Sequence, residues 1–444
     1  MKKFLKGIAI IIFVAAALLA ATGIANHCSV VALNKYIESF EPVAYSQNRL
    51  VPVLDGNHYA FVSDEDIDIM FISDIHIGGG FWTYKKDKKS IYEVITMLRE
   101  QKPDMVILGG DNTYCIPHFP FHGGGTFNNK AVAETVINIF EHEGVYFSTV
   151  FGNHDSESIN LYNRKKLAQL YENDAYEYCL FQSEFTEEDA DTVPVPSRSN
   201  QFILLEDNEH RIKRLIMLLD TNAYSGDSLK DAIRCTYDTV HAKQIEWARA
   251  EITGLSEAAG YDSGRYIPTT VFMHIPIGEY QAALDDLICT DTQSNGKSVI
   301  YSNNENPQYT EFVSGFWGEE KIIYGGSGDK DTDPTTEDNV FEVLSDEMNC
   351  VDSYFCGHDH LNTATVMYKG VMLSYNNSID NIAYGNQISK NGMQRGATIV
   401  TVHNDGSFEQ VHKNAYTDYG CSTDMFTKMG VDSPMMPKFY RTVK

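Results

Sequence analysis

The chain has no Cys-x-x-Cys pair among its eight cysteines, no internal repeat and no surplus of basic charge. The wide, uneven cysteine spacing argues against a cysteine-based zinc site. Cys350 and Cys356 are near enough to bridge in an oxidising compartment, with buried free thiols as the alternative. Against 61 acidic residues stand 35 basic ones, a formal charge of -26. Such a surface repels phosphate backbones and anionic lipid alike, so nucleic-acid binding through a basic face is not expected. An anionic substrate must instead be drawn by a few local cations or bound metal ions. A calcium loop is missing too: Asp329, Asp331 and Asp333 mimic its start, but Pro334 stands where that loop needs glycine and Val340 where it needs glutamate.

What is present is enough apolar material, 43% hydrophobic residues with 12% aromatics in 444, to fill a substantial core of one large domain or two ordinary ones. One long apolar run stands out. Lys2, Lys3 and Lys6 precede an uncharged stretch from Gly7 to Ala25, the layout of an export signal. Its length approaches the roughly 20 residues that span a bilayer, so a cleaved signal peptide and an uncleaved anchor both fit residues 1–25. Either way the positive end stays inside and the remainder is extracytoplasmic, secreted or held at the outer face of the cytoplasmic membrane.

Residues 26–66 read as a linker and strand region. From Ile67 a repeating pattern begins: "IDIMFISDIHIGGG" is a buried strand ending in polar residues and glycines, and Ile91, Val94, Ile95 and Leu98 then recur at helical spacing. "KPDMVILGGDN" returns as a strand, an amphipathic helix follows, and "VYFSTVFGNHD" is a third strand. "QFILLED" and "RLIMLLDTN" read as a strand pair around the "NEH" turn, while "TTVFMHIPIGEY" and "VDSYFCGHDH" are strands ending in histidines. Asn404-Asp405-Gly406 signals a closing hairpin. Strands alternating with helices, with polar residues just after each strand, imply an α/β fold with a mainly parallel sheet and a site along its C-terminal edge. The domain is expected over residues 67–411, with a polar, acidic insertion over 291–347 and a tail over 412–444.

Five strand ends carry "SDIH", "GGDN", "GNHD", "MHIP" and "GHDH". Any one is ordinary turn chemistry. Together they supply Asp74, His76, Asp111, Asn153, His154, Asp155, His274, His358 and His360 at one edge. Carboxylates, an amide oxygen and imidazoles suit zinc, manganese or iron, and they outnumber what one ion requires. A binuclear site, its ions roughly 3.5 Å apart and bridged by one carboxylate, can bind phosphate and lower the pKa of a bridging water.

The five motifs in this order resemble those of the calcineurin-like metallophosphoesterase superfamily over roughly Ile67 to Val411. The resemblance implies two stacked mixed β-sheets flanked by helices. It also implies that Asp74, His76 and His360 hold a first metal, that Asn153, His274 and His358 hold a second, and that Asp111 bridges them. His154 would protonate the leaving oxygen or stabilise the transition state, with Asp155 orienting its imidazole. Metal-activated hydroxide attack on a phosphate monoester of a small molecule or protein follows, with phosphodiester or pyrophosphate hydrolysis and a non-catalytic surface binding protein as the alternatives, and with no cofactor other than two metal ions (Mn, Fe or Zn). Within the superfamily, "SDIHIGGG", "HIPIGEY" and the late "GHDH" are most similar to the branch of yeast Dcr-type phosphatases and plant relatives.

Tyr114 raises a rival. In purple acid phosphatases the tyrosine of a Gly-Asp-x-x-Tyr motif ligates ferric iron, but those enzymes lack a histidine two residues after the first aspartate. Here His76 fills that place, so Tyr114 is read as a packing or hydrogen-bonding neighbour. His118 and His122 are candidates for the substrate mouth, Trp82 and Tyr84 for contact with a leaving group or for rim packing, and Glu279 and Tyr280 for substrate positioning or turn capping.

Overall fold

A computed structural model describes residues 2–41, 49–117, 123–185, 197–224, 237–287, 310–315, 339–383 and 395–421. The first half runs α1 (Lys2–Glu38), β1 (Val53–Asp55), β2 (His58–Val62), β3 (Ile67–Ile72), α2 (Tyr84–Gln101), β4 (Met105–Gly109), α3 (Asn129–Glu143), β5 (Phe147–Val150) and α4 (Arg164–Tyr171). The second half runs β6 (Gln201–Glu206), β7 (Ile212–Leu219), α5 (Ala242–Ala258), β8 (Thr269–Met273), α6 (Gly278–Leu287), β9 (Thr310–Ser314), β10 (Val351–Cys356), β11 (Thr365–Tyr368), β12 (Val371–Tyr375), β13 (Gly396–Val402) and β14 (Phe408–Asn414).

The strands form two mixed sheets, of order β1-β2-β6-β7-β8-β10-β12-β11-β9 and β14-β13-β3-β4-β5. Within the smaller sheet β3, β4 and β5 are parallel; within the larger, β7, β8, β10 and β12 are parallel. The C-terminal ends of both parallel sets therefore carry the polar motifs. β6 and β7 pair antiparallel, as their common turn requires, and the β13–β14 hairpin closes the smaller sheet against β3.

Each strand of these parallel sets is buried on both faces, so its sequence is a continuous apolar run rather than an alternation. One face of each sheet meets the other sheet. Phe71 of β3 packs on Phe272 of β8 with ring centroids 4.9 Å apart, and Phe272 on Phe355 of β10 at 5.1 Å. Ile69, Ile107, Leu205 and Leu218 fill the same layer. On the outer face of the smaller sheet lie α2 and α3, whose periodic Ile91, Val94, Ile95 and Leu98, and Val132, Val136 and Phe140, are all buried. α5 and α6 cover the larger sheet through Ile245, Ile252, Tyr280 and Leu284. The result is four layers, helix, sheet, sheet, helix. α3 starts where Asn128 accepts a hydrogen bond from the Ala131 amide and stops at Gly144, whose φ of 64° continues no helix.

Three segments add to the sequence reading. The helix at the start runs unbroken to Glu38, because Val30, Leu33 and Ile37 recur at helical spacing and are buried against the domain. Within residues 26–66, β1 and β2 join the larger sheet. Within the supposed insertion, β9 pairs with β11 as an edge strand, and residues 342–347 form a short π-helical turn that buries Val343 and Leu344. The calcium-like stretch, His118 and His122 lie outside the described residues. Cys350 and Cys356 are free and buried.

Candidate active site

The loops that follow β3 and β4 are joined side by side. Asp74 N donates to Gly110 O, His76 N to Asp111 O and Ile77 N to Asn112 O, each at 3.0 Å. This lacing forces sharp turns: Asp74, His76, Asp111 and His358 all have φ between 51° and 73°. Non-glycine residues rarely adopt that left-handed region, and such strain is held only where surrounding structure over-determines it. Glycines make room beside these residues. A Cβ on Gly110 would meet Gly152 N at 2.6 Å, and one on Gly152 would meet Asp111 Oδ1 at 2.1 Å. The β4 and β5 loops can touch only because neither carries a side chain there.

Two groups of donors result, and Asp111 belongs to both. Asp74, His76, Asp111 and His360 present ligand atoms all within 4.8 Å of one another, and so do Asp111, His274 and His358. Asp111 Oδ2 stands 3.2 Å from His76 Nε2 and 3.3 Å from His274 Nε2, between the two groups. Asn153 is fully buried, and its Oδ1 lies 3.2 Å from His274 Nε2.

Each imidazole is aimed by what holds its other nitrogen. His274 Nδ1 donates to Gly109 O at 2.7 Å, which turns Nε2 toward Asp111 and Asn153. His76 Nδ1 lies 3.2 Å from Asp380 Oδ1, and His360 Nδ1 lies 3.1 Å from Asp380 Oδ2. One carboxylate thus stands behind two histidines, hydrogen-bonded to His360 and ion-paired with His76. Asn153 Nδ2 donates to Tyr224 Oη at 3.1 Å, which directs the amide oxygen into the site.

The electrostatics describe a cavity waiting for positive charge. Burial alone would push the Asp111 carboxyl up, but His274 and His154 hold it well below the usual carboxylate range. Burial opposes charge on His76 as well, yet the Asp380 and Asp111 carboxylates raise it to about 9. His360 is raised likewise against burial by Asp74 and Asp380. His358 is the exception: burial and the neighbouring His274 push it down to about 3. Its Nε2 is buried with no hydrogen-bond partner, a lone pair facing the second group. An unpaired buried acceptor is costly unless something fills its place. Protons on the other imidazoles balance the carboxylates here, and divalent cations would do so instead while also satisfying His358. The residues present suit divalent metal ions.

His154 sits at the rim, partly exposed, with its backbone N donating to Asp111 Oδ1 at 2.7 Å. Its Nδ1 is 2.6 Å from Glu157 Oε1. The expectation that Asp155 orients this imidazole is not met. The short Asp155 side chain folds back onto its own turn, accepting from Gly152 N at 2.8 Å and Thr113 N at 2.9 Å, and so ties the β5 loop to the β4 loop. Beneath it, Arg164 donates to Gly152 O and pairs with buried Asp220.

Tyr114 packs flat on His76, centroids 4.9 Å apart at 26°, and edge-on against His154 at 4.8 Å. Tyr280 is in the core, its hydroxyl donating to Tyr354 O at 2.8 Å, and Glu279 accepts from Asn339. Trp82 is exposed on the rim. Three residues that support the site, Asp380, Glu157 and Tyr224, escaped the sequence reading. For Asp380 a signal existed: β12 is parallel to β10, so "NNSID" after it is a sixth polar strand end at the same edge.

The calcineurin-like phosphoesterase family model matches residues 67–362. No curated protein matches the chain. Among solved structures, a purple acid phosphatase from yellow lupin (Lupinus luteus) seeds is 12% identical with a TM-score of 0.32, over 81% of this chain and 54% of its own, so the chain spans about half that enzyme's length. A second is 10% identical with a TM-score of 0.35, over 78% of this chain and 99% of its own. With a family match over two thirds of its length and the motif residues gathered where the C-terminal strand ends of the two sheets meet, the chain belongs to the calcineurin-like phosphoesterases and is a phosphoester hydrolase.

Proposed function

We propose that the chain is an exported, binuclear metal-dependent phosphoesterase acting on phosphate monoesters. The observation that carries this reading is the sharing of Asp111 between two donor groups. In this assignment Asp74, His76 and His360 would hold one ion, Asn153, His274 and His358 would hold the other, and Asp111 would serve both. Such ions supply Lewis acidity: they offset charge on phosphoryl oxygens and lower the pKa of bound water. Manganese, iron and zinc all suit the donor set.

The protein's own residues do the rest. His154, on the rim with Nδ1 held by Glu157, offers Nε2 to the departing alcohol oxygen and gives it a proton. Asp155 and Arg164 fix the turn that carries Asn153 and His154, so amide ligand and acid move together. Asp380 keeps His76 and His360 in their ligating orientation. The net charge of -26 leaves capture of an anionic ester to the site itself. Export rests on Lys2, Lys3 and Lys6 ahead of the uncharged apolar stretch from Gly7 to Ala25.

The test is a metal assay of purified protein together with hydrolysis of p-nitrophenyl phosphate and bis-p-nitrophenyl phosphate. Two ions per chain and a monoester preference are expected. His154→Ala should keep both ions and lose about 10²- to 10⁴-fold in turnover. Less than one ion per chain with no hydrolysis in added manganese would sink the reading, and a diester preference would redirect it to phosphodiester or pyrophosphate bonds.

A further inference from the structure

α1 is one helix of two characters. Its first part is apolar and exposed, long enough to cross a membrane. Its last part is a core element of the domain: Leu33 and Ile37 are fully buried, Asn34 Nδ2 donates to Thr135 Oγ1 at 3.0 Å, and Asn138 Nδ2 donates to Asn34 Oδ1 at 2.9 Å. The changeover is at Asn26, whose Oδ1 accepts from the Phe81 amide at 2.9 Å. From Asn26 back to Lys6 is about 30 Å of helix at 1.5 Å per residue, the thickness of a bilayer's hydrocarbon core. With the lysines on one side, Asn26 and Phe81 stand at the opposite membrane interface.

At that level the domain presents exposed apolar side chains. Phe81, Trp82 and Leu161 are 57%, 63% and 60% exposed, and Phe127 is 40% exposed. Trp82, Phe127 and Leu161 face Leu18, Leu19 and Thr22 of α1 across an apolar groove of about 740 Å³. One wall of this groove is the spanning segment itself, so the groove opens into the same layer that surrounds that segment. Both rim elements are joined to the site along the chain. His76 is followed through three glycines by Phe81 and Trp82, at most about 20 Å of chain. Leu161 follows Asn160, whose side chain accepts from the amide of Glu157, the partner of His154.

We infer that α1 is retained as an anchor, that Phe81, Trp82, Phe127 and Leu161 seat in the headgroup boundary, and that the site takes a phosphate ester borne by a membrane lipid, its hydrocarbon chain lying in the groove. This rests on the phosphoesterase reading above. Hydrolysis breaks the bond between phosphorus and the lipid oxygen; water supplies the new oxygen on phosphorus and His154 the proton on the lipid alcohol, which stays in the bilayer while inorganic phosphate leaves. A surface of charge -26 gains nothing from an anionic membrane, so the apolar rim and the tether hold the site at its substrate.

The test uses the full chain in phosphatidylcholine vesicles containing phosphatidic acid, with p-nitrophenyl phosphate as the soluble ester. The wild type should hydrolyse both. The double variant F81S/F127S should lose at least tenfold in kcat/KM on phosphatidic acid, through KM, with p-nitrophenyl phosphate unchanged. Brominated lipid should quench a part of the tryptophan fluorescence that is absent in Trp82→Phe. Hydrolysis of the soluble ester alone, or equal loss on both esters, overturns the inference and leaves the phosphoesterase reading standing. Trp82 fluorescence that bromine does not touch overturns the membrane seating. If neither ester is hydrolysed, the phosphoesterase reading falls and takes the lipid substrate with it.

Discussion

Glu157 Oε1 lies 2.6 Å from Nδ1 of His154, three residues before it, while the adjacent Asp155 turns away to bind backbone amides. Two carboxylates near one histidine therefore have separate tasks. One aims the imidazole and the other holds the loop.

Glu157→Ala is expected to lower kcat about 10- to 100-fold with metal content unchanged, since an imidazole with free Nδ1 no longer presents Nε2 in a fixed direction. Glu157→Gln, which can still accept the Nδ1 proton, should recover much of that loss. Steady-state kinetics beside a metal assay decides it.

Asp155→Ala should act first on stability. It leaves the Gly152 and Thr113 amides buried without an acceptor, at a cost of about 1–3 kcal/mol each. Denaturant titration should show the loss, and a variant with wild-type stability would remove Asp155 from its proposed place.

For Asp380→Asn, metal affinity is expected to fall about 10- to 100-fold, the usual effect of losing a carboxylate behind a ligating histidine. Because Asp380 touches His76 and His360 but neither His274 nor His358, the first ion should be lost before the second. Titration of the metal-free protein, followed by calorimetry, would read both affinities.

Arg164→Met strands the buried carboxylate of Asp220, which the Arg164 guanidinium holds below the usual carboxylate range against burial. Removing one partner of a buried pair costs about 3–5 kcal/mol. The midpoint of urea unfolding should move accordingly.

His412 gives stability a pH dependence away from the site. It lies part-buried with Thr398 Oγ1 and Thr365 Oγ1 each 3.0 Å from a ring nitrogen, and desolvation pushes it down to about 4. Its contribution is complete above the unfolded value near 6.5 and is lost as pH falls from there toward 4, because the unfolded chain takes up the proton first. The loss is on the order of 3 kcal/mol. His412→Gln should flatten that limb of the stability curve.

Much of the site could be read in one dimension because its residues stand at the ends of apolar runs. Asp74 and His76, Asp111, Asn153 and His154, His274, and His358 and His360 each follow a strand, and parallel strands bring such ends to one edge. Glu157, Tyr224 and Asp380 were not legible in that way. Glu157 lies beyond the motif in a turn, Tyr224 approaches from the loop after β7, and Asp380 lies five residues beyond the end of β12.

What the sequence by itself determined is the alternation of buried strands and amphipathic helices, the metal-binding chemistry at the strand ends, and the apolar helix behind three lysines. Periodicity and residue type carry that information locally. Only the tertiary structure decided that Glu157 and not Asp155 meets His154, that one carboxylate aims two histidines, and that α1 enters the core beside an apolar rim. These depend on backbone turns with positive φ and on contacts between residues 3 to more than 300 apart, which no local pattern records.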